Sequence, residues 1–235
     1  MIESVNNQKI KDYSKLQSKK YRDESGLFIV EGTHLVEEAL KKTQAVEIYS
    51  LDESHTQVSE AVMRKLSSLN TPPQILAVCK KLEEKDIFGN ILILDNIQDP
   101  GNLGTIIRSS VAFGIDTIIV SPDTVDFYNV KTLRASEGMV FNINIVIRDL
   151  ESVIPELISK GYKVFTTNVV NGTNLNELDI PDNYAIVMGN EGNGVRETIA
   201  SLCNDAIYIP MNKTCESLNV AIATSIILYE FNKKM

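Results

Sequence analysis

The chain has 235 residues, of which 43% are hydrophobic and 23% charged, and its net charge at pH 7 is −8. This composition is typical of a soluble globular protein with one large domain or two modest ones. Since no run of 18 apolar residues occurs and residues 1–10 lack a signal-peptide core, we expect no membrane span and a cytoplasmic location. The cysteines, Cys79, Cys203 and Cys215, form no C-x-x-C pair and both histidines are isolated, so we expect neither a disulfide nor a metal site.

The charge is unevenly distributed along the chain. Residues 1–85 are neutral overall, whereas residues 86–235 carry the entire net charge of −8. Residues 1–22 carry six basic side chains against two acidic ones. A basic N-terminal segment on an acidic protein is suited to binding phosphates, although a solvated helix surface explains the same charges equally well.

The first eighty residues alternate between helical and strand patterns. The sequence predicts helices over residues 6–21, 35–42 and 57–69, and strands over residues 27–31, 46–51 and 75–79. A charged stretch then precedes a more apolar half of the chain. We therefore expect a small α/β domain over residues 1–82, a linker over 83–89 and a second domain over 90–235.

The second half predicts six short apolar strands that alternate with helices. The strands are expected over residues 91–95, 117–120, 144–147, 163–167, 184–188 and 206–209. The helices are expected over residues 103–113, 130–136, 150–160 and 195–202, with one more at the C-terminus. This pattern indicates an α/β fold with a mostly parallel sheet covered on both faces. Ligands bind beyond the carboxyl ends of the strands in such sheets.

The C-terminal helix shows an apolar spacing of i, i+3, i+4, i+7, i+8 and i+11, which predicts one buried face. That face consists of Leu218, Ala221, Ile222, Ser225, Ile226 and Tyr229. Ser217 or Asn219 is expected to cap the start of the helix. The preceding loop and this helix start supply polar groups and free backbone N–H groups that suit a polar ligand.

A second stretch of interest runs over residues 95–110, where the first strand of the second domain gives way to a helix. Pro100 and Gly101 are expected to make the turn, and Asn102 is expected to cap the helix. Arg108 follows among apolar residues. It is either an arginine facing solvent or a guanidinium that grips a phosphate or a developing oxyanion.

The third stretch, residues 188–195, holds three glycines between an apolar strand and a helix. Glycine permits positive φ and close approach of a ligand to the backbone. The stretch matches neither a P-loop nor a dinucleotide-binding fingerprint, which disfavours a dehydrogenase. Glu191 lies inside this loop, and we expect it to have a fixed partner, with Arg108 as the candidate.

The three stretches follow three strands whose carboxyl ends share one edge of the predicted sheet. No Ser-His-Asp set, pair of acids or activated cysteine accompanies them. Backbone donors with one Arg and one Glu therefore favour catalysis by positioning and electrostatics over covalent catalysis.

In this order and spacing, the three stretches resemble the motifs of the SpoU (TrmH) family. They are Asn102…Arg108, the glycine loop over residues 189–194, and residues 209–220. The stretch over residues 129–138 is also similar to a family segment, although Val130 replaces the usual proline and Glu137 is a less usual choice. The N-terminal part resembles the family's appended L30e-like substrate-binding domain, so the resemblance spans nearly the whole chain.

The resemblance implies an RNA 2′-O-ribose methyltransferase of the SPOUT class with a deep trefoil knot, working as a homodimer with the active site near the dimer interface. It implies S-adenosyl-L-methionine as the cofactor and no metal. The residues implied to bind the cofactor are Thr167, Gly189, Ile209, Met211, Ser217 and Leu218. Those expected to bind RNA are Lys9, Lys11, Lys19, Lys20, Arg22 and Arg134.

The resemblance also assigns catalytic roles. Arg108 is expected to contact the target phosphate and to stabilise the 2′-oxygen electrostatically rather than to act as a base, because arginine is normally protonated. Asn102 is expected to orient the ribose or Arg108, Glu191 to pair with Arg108, and Ser217 and Asn219 to shape the cofactor loop.

We expect 23S rRNA as the substrate. The alternatives are a tRNA substrate, an antibiotic-resistance role, or a non-catalytic RNA-binding paralogue. The intact motif residues argue against the paralogue.

Overall fold

The computed structural model describes residues 1–169, 171–212 and 214–233. By its internal contacts the chain divides into two units. The N-terminal unit comprises Met1–Glu83 with Asp126–Asn142, and the C-terminal unit comprises Glu84–Val125 with Ile143–Met235. Within the described ranges, no helix is both long enough and apolar enough to cross a membrane.

The helices and strands are numbered in chain order. The helices are α1 Gln8–Ser14, α2 Lys19–Ser25, α3 Thr33–Leu40, α4 Glu60–Leu66, α5 Pro100–Ala112, α6 Val130–Ala135, α7 Leu150–Ser159, α8 Glu197–Ala200 and α9 Val220–Lys233. The strands are β1 Leu27–Glu31, β2 Ala45–Ser50, β3 Thr56–Gln57, β4 Ile75–Lys80, β5 Ile91–Leu94, β6 Thr117–Val120, β7 Asn144–Ile147, β8 Lys163–Thr167, β9 Thr173–Asn174, β10 Tyr184–Met188 and β11 Asp205–Tyr208. Short 3-10 turns lie at Lys15–Gln17, Met139–Asn142 and Leu175–Glu177.

The N-terminal unit is built on a four-stranded sheet in the order β1-β4-β2-β3. The three predicted strands are confirmed, and β4 pairs antiparallel with both β1 and β2. The single helix predicted over residues 6–21 is wrong, because a 3-10 turn and an extended Ser18 separate α1 from α2. A serine favours such a break since its side chain competes for backbone hydrogen bonds.

Residues 126–142 pack within the N-terminal unit, although they lie between two strands of the larger sheet in sequence. The Phe28 ring lies 4.6 Å from that of Tyr128 and 6.0 Å from that of Phe141, measured between centroids. The Tyr128 hydroxyl accepts a hydrogen bond from Leu82 N at 2.9 Å. These contacts join residues that the prediction assigned to two separate domains, 1–82 and 90–235. The exact domain boundaries stay a prediction.

A buried ion pair ties this segment to α2. Arg22 Nη2 lies 2.6 Å from Asp126 Oδ2, and the two side chains are only 4% and 8% exposed. Arg22 Nη1 also donates to Leu16 O at 2.7 Å. The predicted contact of Arg22 with RNA is therefore wrong, because its guanidinium is enclosed and already neutralised within the N-terminal unit.

The C-terminal unit contains a seven-stranded sheet in the order β7-β6-β5-β10-β8-β11-β9. Every described strand pair in it is parallel, which confirms the predicted α/β class. The central neighbours β5 and β10 are buried along their whole length. Their adjacent carboxyl ends open onto the loops that begin at Asp95 and Gly189. The trefoil knot stays a prediction.

The buried face of α9 differs from the predicted one. Its buried residues are Val220, Ala221, Thr224, Ile227, Leu228 and Phe231. The Phe231 ring packs 4.8 Å from that of Tyr184 and 5.9 Å from that of Phe165. Ile222 and Tyr229, predicted to be buried, are instead 54% and 47% exposed. The prediction was wrong because α9 is apolar on more than one side, so its spacing did not define a single buried face.

The buried ion pair generates the first prediction. We expect Arg22→Ala to lower the free energy of unfolding by about 3–5 kcal/mol, because Asp126 is left buried without a counter-charge. The control, Lys19→Ala, removes half of an exposed pair with Asp23 and should cost less than about 1 kcal/mol. The chain has no tryptophan, so unfolding in urea is best followed by circular dichroism. Equal losses for the two variants would contradict the structural role of Arg22.

Candidate active site

The loop after β5 begins α5 with a capping arrangement. Asp99 is the N-cap, and its Oδ1 accepts from Asn102 N at 2.8 Å. Pro100 occupies the first turn, where its missing N–H costs nothing. The predicted cap at Asn102 is therefore wrong by three residues. Its side chain is released from capping and becomes available to other segments.

The glycine loop folds back on itself directly after β10. Asn190 and Gly194 exchange backbone hydrogen bonds of 3.0 and 2.9 Å. A Cβ on Gly189 would lie 2.0 Å from Val195 N, so only glycine fits at this position. Asn190 Nδ2 donates to Asn96 O at 2.8 Å, and Asn190 Oδ1 accepts from Gly192 N at 2.9 Å. Asn190 thus joins the glycine loop to the loop after β5.

An ion pair fixes the C-terminal end of the glycine loop. The fully buried carboxylate of Asp95 accepts from Arg196 N at 2.9 Å and from Arg196 Nε at 2.7 Å, and it also contacts Arg196 Nη2. This pair was not predicted from the sequence. Its signal was available, because a buried carboxylate at the end of a wholly apolar strand needs a counter-charge.

A chain of side-chain hydrogen bonds connects the three predicted motifs. Asn219 caps α9 by accepting from Ala221 N at 2.9 Å, as predicted. Its Nδ2 donates to Asn102 Oδ1 at 3.0 Å. Asn102 Nδ2 in turn donates to Glu191 Oε1 at 3.0 Å. Segments that are 89 and 117 residues apart in sequence are thereby held together.

Glu191 receives further donors from the backbone of the loop after β5. Gln98 N and Asp99 N donate to its two oxygens at 3.4 and 3.3 Å. Partial burial opposes ionisation, but the hydrogen bonds from Asn102 and from the backbone outweigh it and hold the pKa of Glu191 below its ordinary value. Glu191 is therefore ionised at neutral pH.

The predicted ion pair between Glu191 and Arg108 is wrong. Arg108 lies six residues after Asn102 on α5, which places the two side chains about 120° apart around the helix. Its side chain is exposed, and among the described residues it makes neither an ion pair nor a hydrogen bond. The guanidinium is therefore free to meet a ligand from solvent.

A cavity of about 410 Å³ lies beside the glycine loop. Glu191 and all six residues predicted to bind the cofactor line it, namely Thr167, Gly189, Ile209, Met211, Ser217 and Leu218. Asn102, Arg108 and Asn219 are not on its wall. The buried Thr166 Oγ1, also on the wall, has no hydrogen-bond partner in the part of the chain that the structure describes.

The cavity fits S-adenosylmethionine in size and chemistry. Its volume lies in the range of about 300–1,000 Å³ that is usual for small-molecule sites. A buried hydroxyl without a partner costs about 1–3 kcal/mol, which a polar ligand in the cavity would offset. The wall also offers apolar side chains such as Val195 and Ile227. A ligand with both polar and apolar parts matches this lining.

Most of the lysines predicted to bind RNA form ion pairs at the surface of the N-terminal unit. Lys9 lies 3.4 Å from Glu47, Lys19 2.7 Å from Asp23 and Lys20 3.9 Å from Glu24. Lys11 and Arg134 are exposed and make no ion pair within the described ranges. These exposed pairs are weak, so they reduce the positive field of the segment without blocking access to it.

The described residues form no metal site, and two of the three cysteines are unreactive. In the ranges 1–169, 171–212 and 214–233, no group of three His, Cys, Asp or Glu side chains could hold a metal ion. Burial raises the pKa of Cys79 to about 12 and that of Cys203 to about 11, so both thiols are protonated at neutral pH. Neither cysteine is therefore a nucleophile.

Comparison with known proteins identifies the class of this site. The model of the SpoU rRNA methylase family matches residues 89–229, and that of the MRM3-like substrate-binding domain matches residues 7–77. The chain belongs to the SpoU rRNA methylase family. A 23S rRNA (guanosine(2553)-2′-O)-methyltransferase, RlmP, of Bacillus subtilis strain 168 is 40% identical to it, over 97% of each chain.

Solved structures of the family agree. The AdoMet-bound rRNA methyltransferase of Sinorhizobium meliloti has a TM-score of 0.89 and 28% identity, and the alignment covers 100% of this chain and 97% of that one. An RNA 2′-O ribose methyltransferase has a TM-score of 0.83 and 27% identity, with coverage of 99% and 98%. The predicted enzyme class and its cofactor, S-adenosylmethionine, are therefore confirmed for this SpoU family member.

Proposed function

We propose that this SpoU methyltransferase modifies the ribose 2′-hydroxyl of a guanosine in 23S rRNA, in the cytoplasm. Its 40% identity to a 23S guanosine methyltransferase, over 97% of both chains, is the observation that carries this proposal. The match of residues 7–77 to a substrate-binding domain supports a substrate that is also contacted outside the methyltransferase domain. A tRNA substrate would keep the enzyme class and change only the target.

Arg108 is the group that stabilises the reacting oxygen. Its guanidinium is exposed and unpaired among the described residues, so no internal carboxylate has to be displaced before it meets RNA. A fixed positive charge near the 2′-oxygen favours the developing negative charge as the hydroxyl loses its proton to solvent. The planar guanidinium of Arg108 can also donate two parallel hydrogen bonds to the adjacent phosphate.

Asn102, Glu191 and Asn219 act as positioning residues. Glu191 fixes Asn102, and Asn102 fixes Asn219 at the start of α9. Ser217 and Leu218, which precede this helix start, lie on the cavity wall. The loops that hold the cofactor are therefore set in position before RNA arrives, which is the main source of rate in an in-line displacement.

S-adenosylmethionine supplies a methyl group on a positively charged sulfur when it is bound. The residues that would hold it are the six predicted ones, together with Thr166, whose hydroxyl lacks a partner among the described residues. Held there, it would supply an activated methyl group for direct transfer to the 2′-oxygen, without a covalent enzyme intermediate.

We also propose that the protein works as a homodimer through α5 and α9. These helices pack together, with Ser109 Oγ 2.7 Å from Ser225 Oγ. On α9, Ile222, Ile226 and Tyr229 are 54%, 36% and 47% exposed and recur at i, i+4 and i+7. The neighbouring α5 carries Arg108, which is exposed and off the cavity wall. A second copy on this face would cover the apolar stripe and bring Arg108 to an interface.

Replacement of Arg108 tests the proposed chemistry. We expect Arg108→Ala to lower the rate of methyl transfer by about 10²–10³-fold, because an electrostatic contact made in the transition state is lost. Its affinity for S-adenosylmethionine should stay within about twofold, since Arg108 is off the cavity wall. The assay uses radiolabelled cofactor and unmodified total RNA, and the label is mapped by resistance to alkaline cleavage.

The matched control is Arg148→Ala, which removes an exposed arginine paired with Glu84 in the same unit. It should transfer methyl groups at the wild-type rate. A rate for Arg108→Ala equal to that of Arg148→Ala would remove Arg108 from the mechanism. Label in tRNA in place of 23S rRNA would overturn the proposed substrate.

Replacement of Ile226 tests the dimer. We expect Ile226→Asp to sediment as a monomer at concentrations where the wild type is a dimer, because the new carboxylate would have to be buried in an apolar interface. Ile147→Asp changes a residue of similar exposure, 40%, on the edge strand β7 and should remain dimeric. A monomeric wild type, or a dimeric Ile226→Asp variant, would refute the interface.

A further inference from the structure

A second cavity, of about 260 Å³, lies wholly within the N-terminal unit. It shares no residue with the cofactor cavity. Its wall is formed by Gln17, Ser68, Leu69, Asn70, Asn129, Val130, Lys131 and Arg134. The volume is just below the range of about 300–1,000 Å³ that is usual for drug-sized ligands, so the cavity suits one small unit of a larger molecule.

One wall of this cavity, the loop after α4, is held in place by hydrogen bonds. The buried carboxylate of Glu31 accepts from Ser67 Oγ and from Ser68 N, both at 2.9 Å. Gln17 Nε2 donates to Leu66 O at 3.1 Å and to Ser67 O at 3.2 Å. Since these bonds fix the loop, the cavity is present before any ligand binds.

The polar groups that face this cavity are largely unused. The Asn70 side chain makes no hydrogen bond with the described residues. Asn129 Oδ1 accepts from Lys131 N at 2.9 Å, and its Nδ2 has no acceptor in those ranges. The Gln17 side chain donates to the loop through its nitrogen, and its oxygen accepts no hydrogen bond from the described residues. The wall of this small, half-open cavity therefore offers both donors and acceptors from carboxamides.

The charge of the cavity is opposite to that of the protein. Lys131 and Arg134 are exposed and form no ion pair in the described part of the chain. No carboxylate lines the cavity, so its wall carries +2 on a chain whose net charge is −8. Two unpaired cations, with no acid on the cavity wall, favour an anionic ligand.

We propose that this cavity binds one unstacked nucleotide of the substrate RNA, distinct from the nucleotide that is methylated. The cations would meet its phosphate, and the carboxamides of Asn70, Gln17 and Asn129 would read the edge of its base. Recognition of unstacked bases by hydrogen bonds to their edges is the usual way in which proteins read RNA sequence. This inference rests on the proposed RNA substrate, and it assigns to the N-terminal unit a recognition site of its own, which shares no residue with the cofactor cavity.

The test measures RNA binding by the full-length protein, without cofactor, on a 23S rRNA fragment that contains the proposed target. Binding is followed by fluorescence anisotropy at several salt concentrations. We expect Lys131→Ala and Arg134→Ala each to lower the slope of log affinity against log salt by about 0.7, because each removes one contact with a single-stranded phosphate. The control Lys42→Ala, an exposed lysine outside the cavity, should leave the slope unchanged.

Base recognition is tested with a series of fragments that carry one abasic nucleotide each. For the wild type, one abasic position other than the methylated nucleotide should weaken binding by on the order of tenfold. Asn70→Ala should bind the intact fragment about fivefold more weakly, as expected for one lost hydrogen bond, and should lose its sensitivity to that position. The control Asn6→Ala should remain sensitive to that abasic position.

Two outcomes would overturn the inference. If the salt slopes of Lys131→Ala and Arg134→Ala equal that of Lys42→Ala, the cavity does not contact RNA. In the second outcome, Lys131→Ala and Arg134→Ala lower the salt slope, but Asn70→Ala remains sensitive to every abasic position that affects the wild type. The two cations would then contact the RNA backbone without a base in the cavity. Because binding is measured without methyl transfer, a wild type that binds the fragment but does not modify it would refute the proposed function and leave this test intact.

Discussion

Two side-chain hydrogen bonds, from Asn219 to Asn102 and from Asn102 to Glu191, join three loops that lie far apart in sequence. Their direction follows from one charge. An ionised carboxylate can only accept, so Asn102 must turn its Nδ2 toward Glu191 and its Oδ1 toward Asn219. Asn219 must then donate through Nδ2 and use its own oxygen to cap α9. Glu191 thereby sets the orientation of both amides and anchors the start of the C-terminal helix.

Further contacts keep the glycine loop in the position from which Glu191 acts. Asn190 holds the start of the loop through Asn96 O, and the buried Asp95 holds its end through Arg196. Both anchors reach back to the loop after β5, which leads into α5 and Asn102. Since burying Asp95 without a counter-charge would be costly, Arg196 has one favoured position. Adjacent parallel strands deliver these two loops to one edge of the sheet, where the cofactor cavity forms.

Much of the fold was predictable because the strands are short apolar runs with clear punctuation. All six strands predicted for the second half are present, four of them with the predicted bounds. The six residues assigned to the cofactor through family resemblance share one cavity wall. In both cases local sequence patterns coincide with the constraints of the fold, so one chain was enough to find them.

The errors arose where tertiary contacts decide between local alternatives. The misplaced cap of α5 is an exception, because Pro100 favours the first helical position and so marks Asp99, rather than Asn102, as the cap. Arg22 looked like one more surface cation until residues 126–142 supplied Asp126, a contact across 104 residues of sequence. Arg108 was assigned to Glu191 because both are charged, whereas the rotation of α5 brings Asn102 to that carboxylate instead. Such choices depend on side-chain geometry that sequence patterns do not encode.

The most direct test of this account is a double-mutant cycle on the rate of methyl transfer, with Asn102→Ala and Asn219→Ser. Serine keeps a capping oxygen for α9 but removes the amide that donates to Asn102. If the three loops act as one unit, the two changes should be coupled by about 0.5–3 kcal/mol, so the double variant loses less than the product of the single losses. The control cycle, Asn102→Ala with Arg148→Ala, should be additive. If the rate of the double variant falls by the product of the two single fold-losses, Asn102 and Asn219 act independently. That result would contradict the hydrogen-bond chain as the organising interaction of the site.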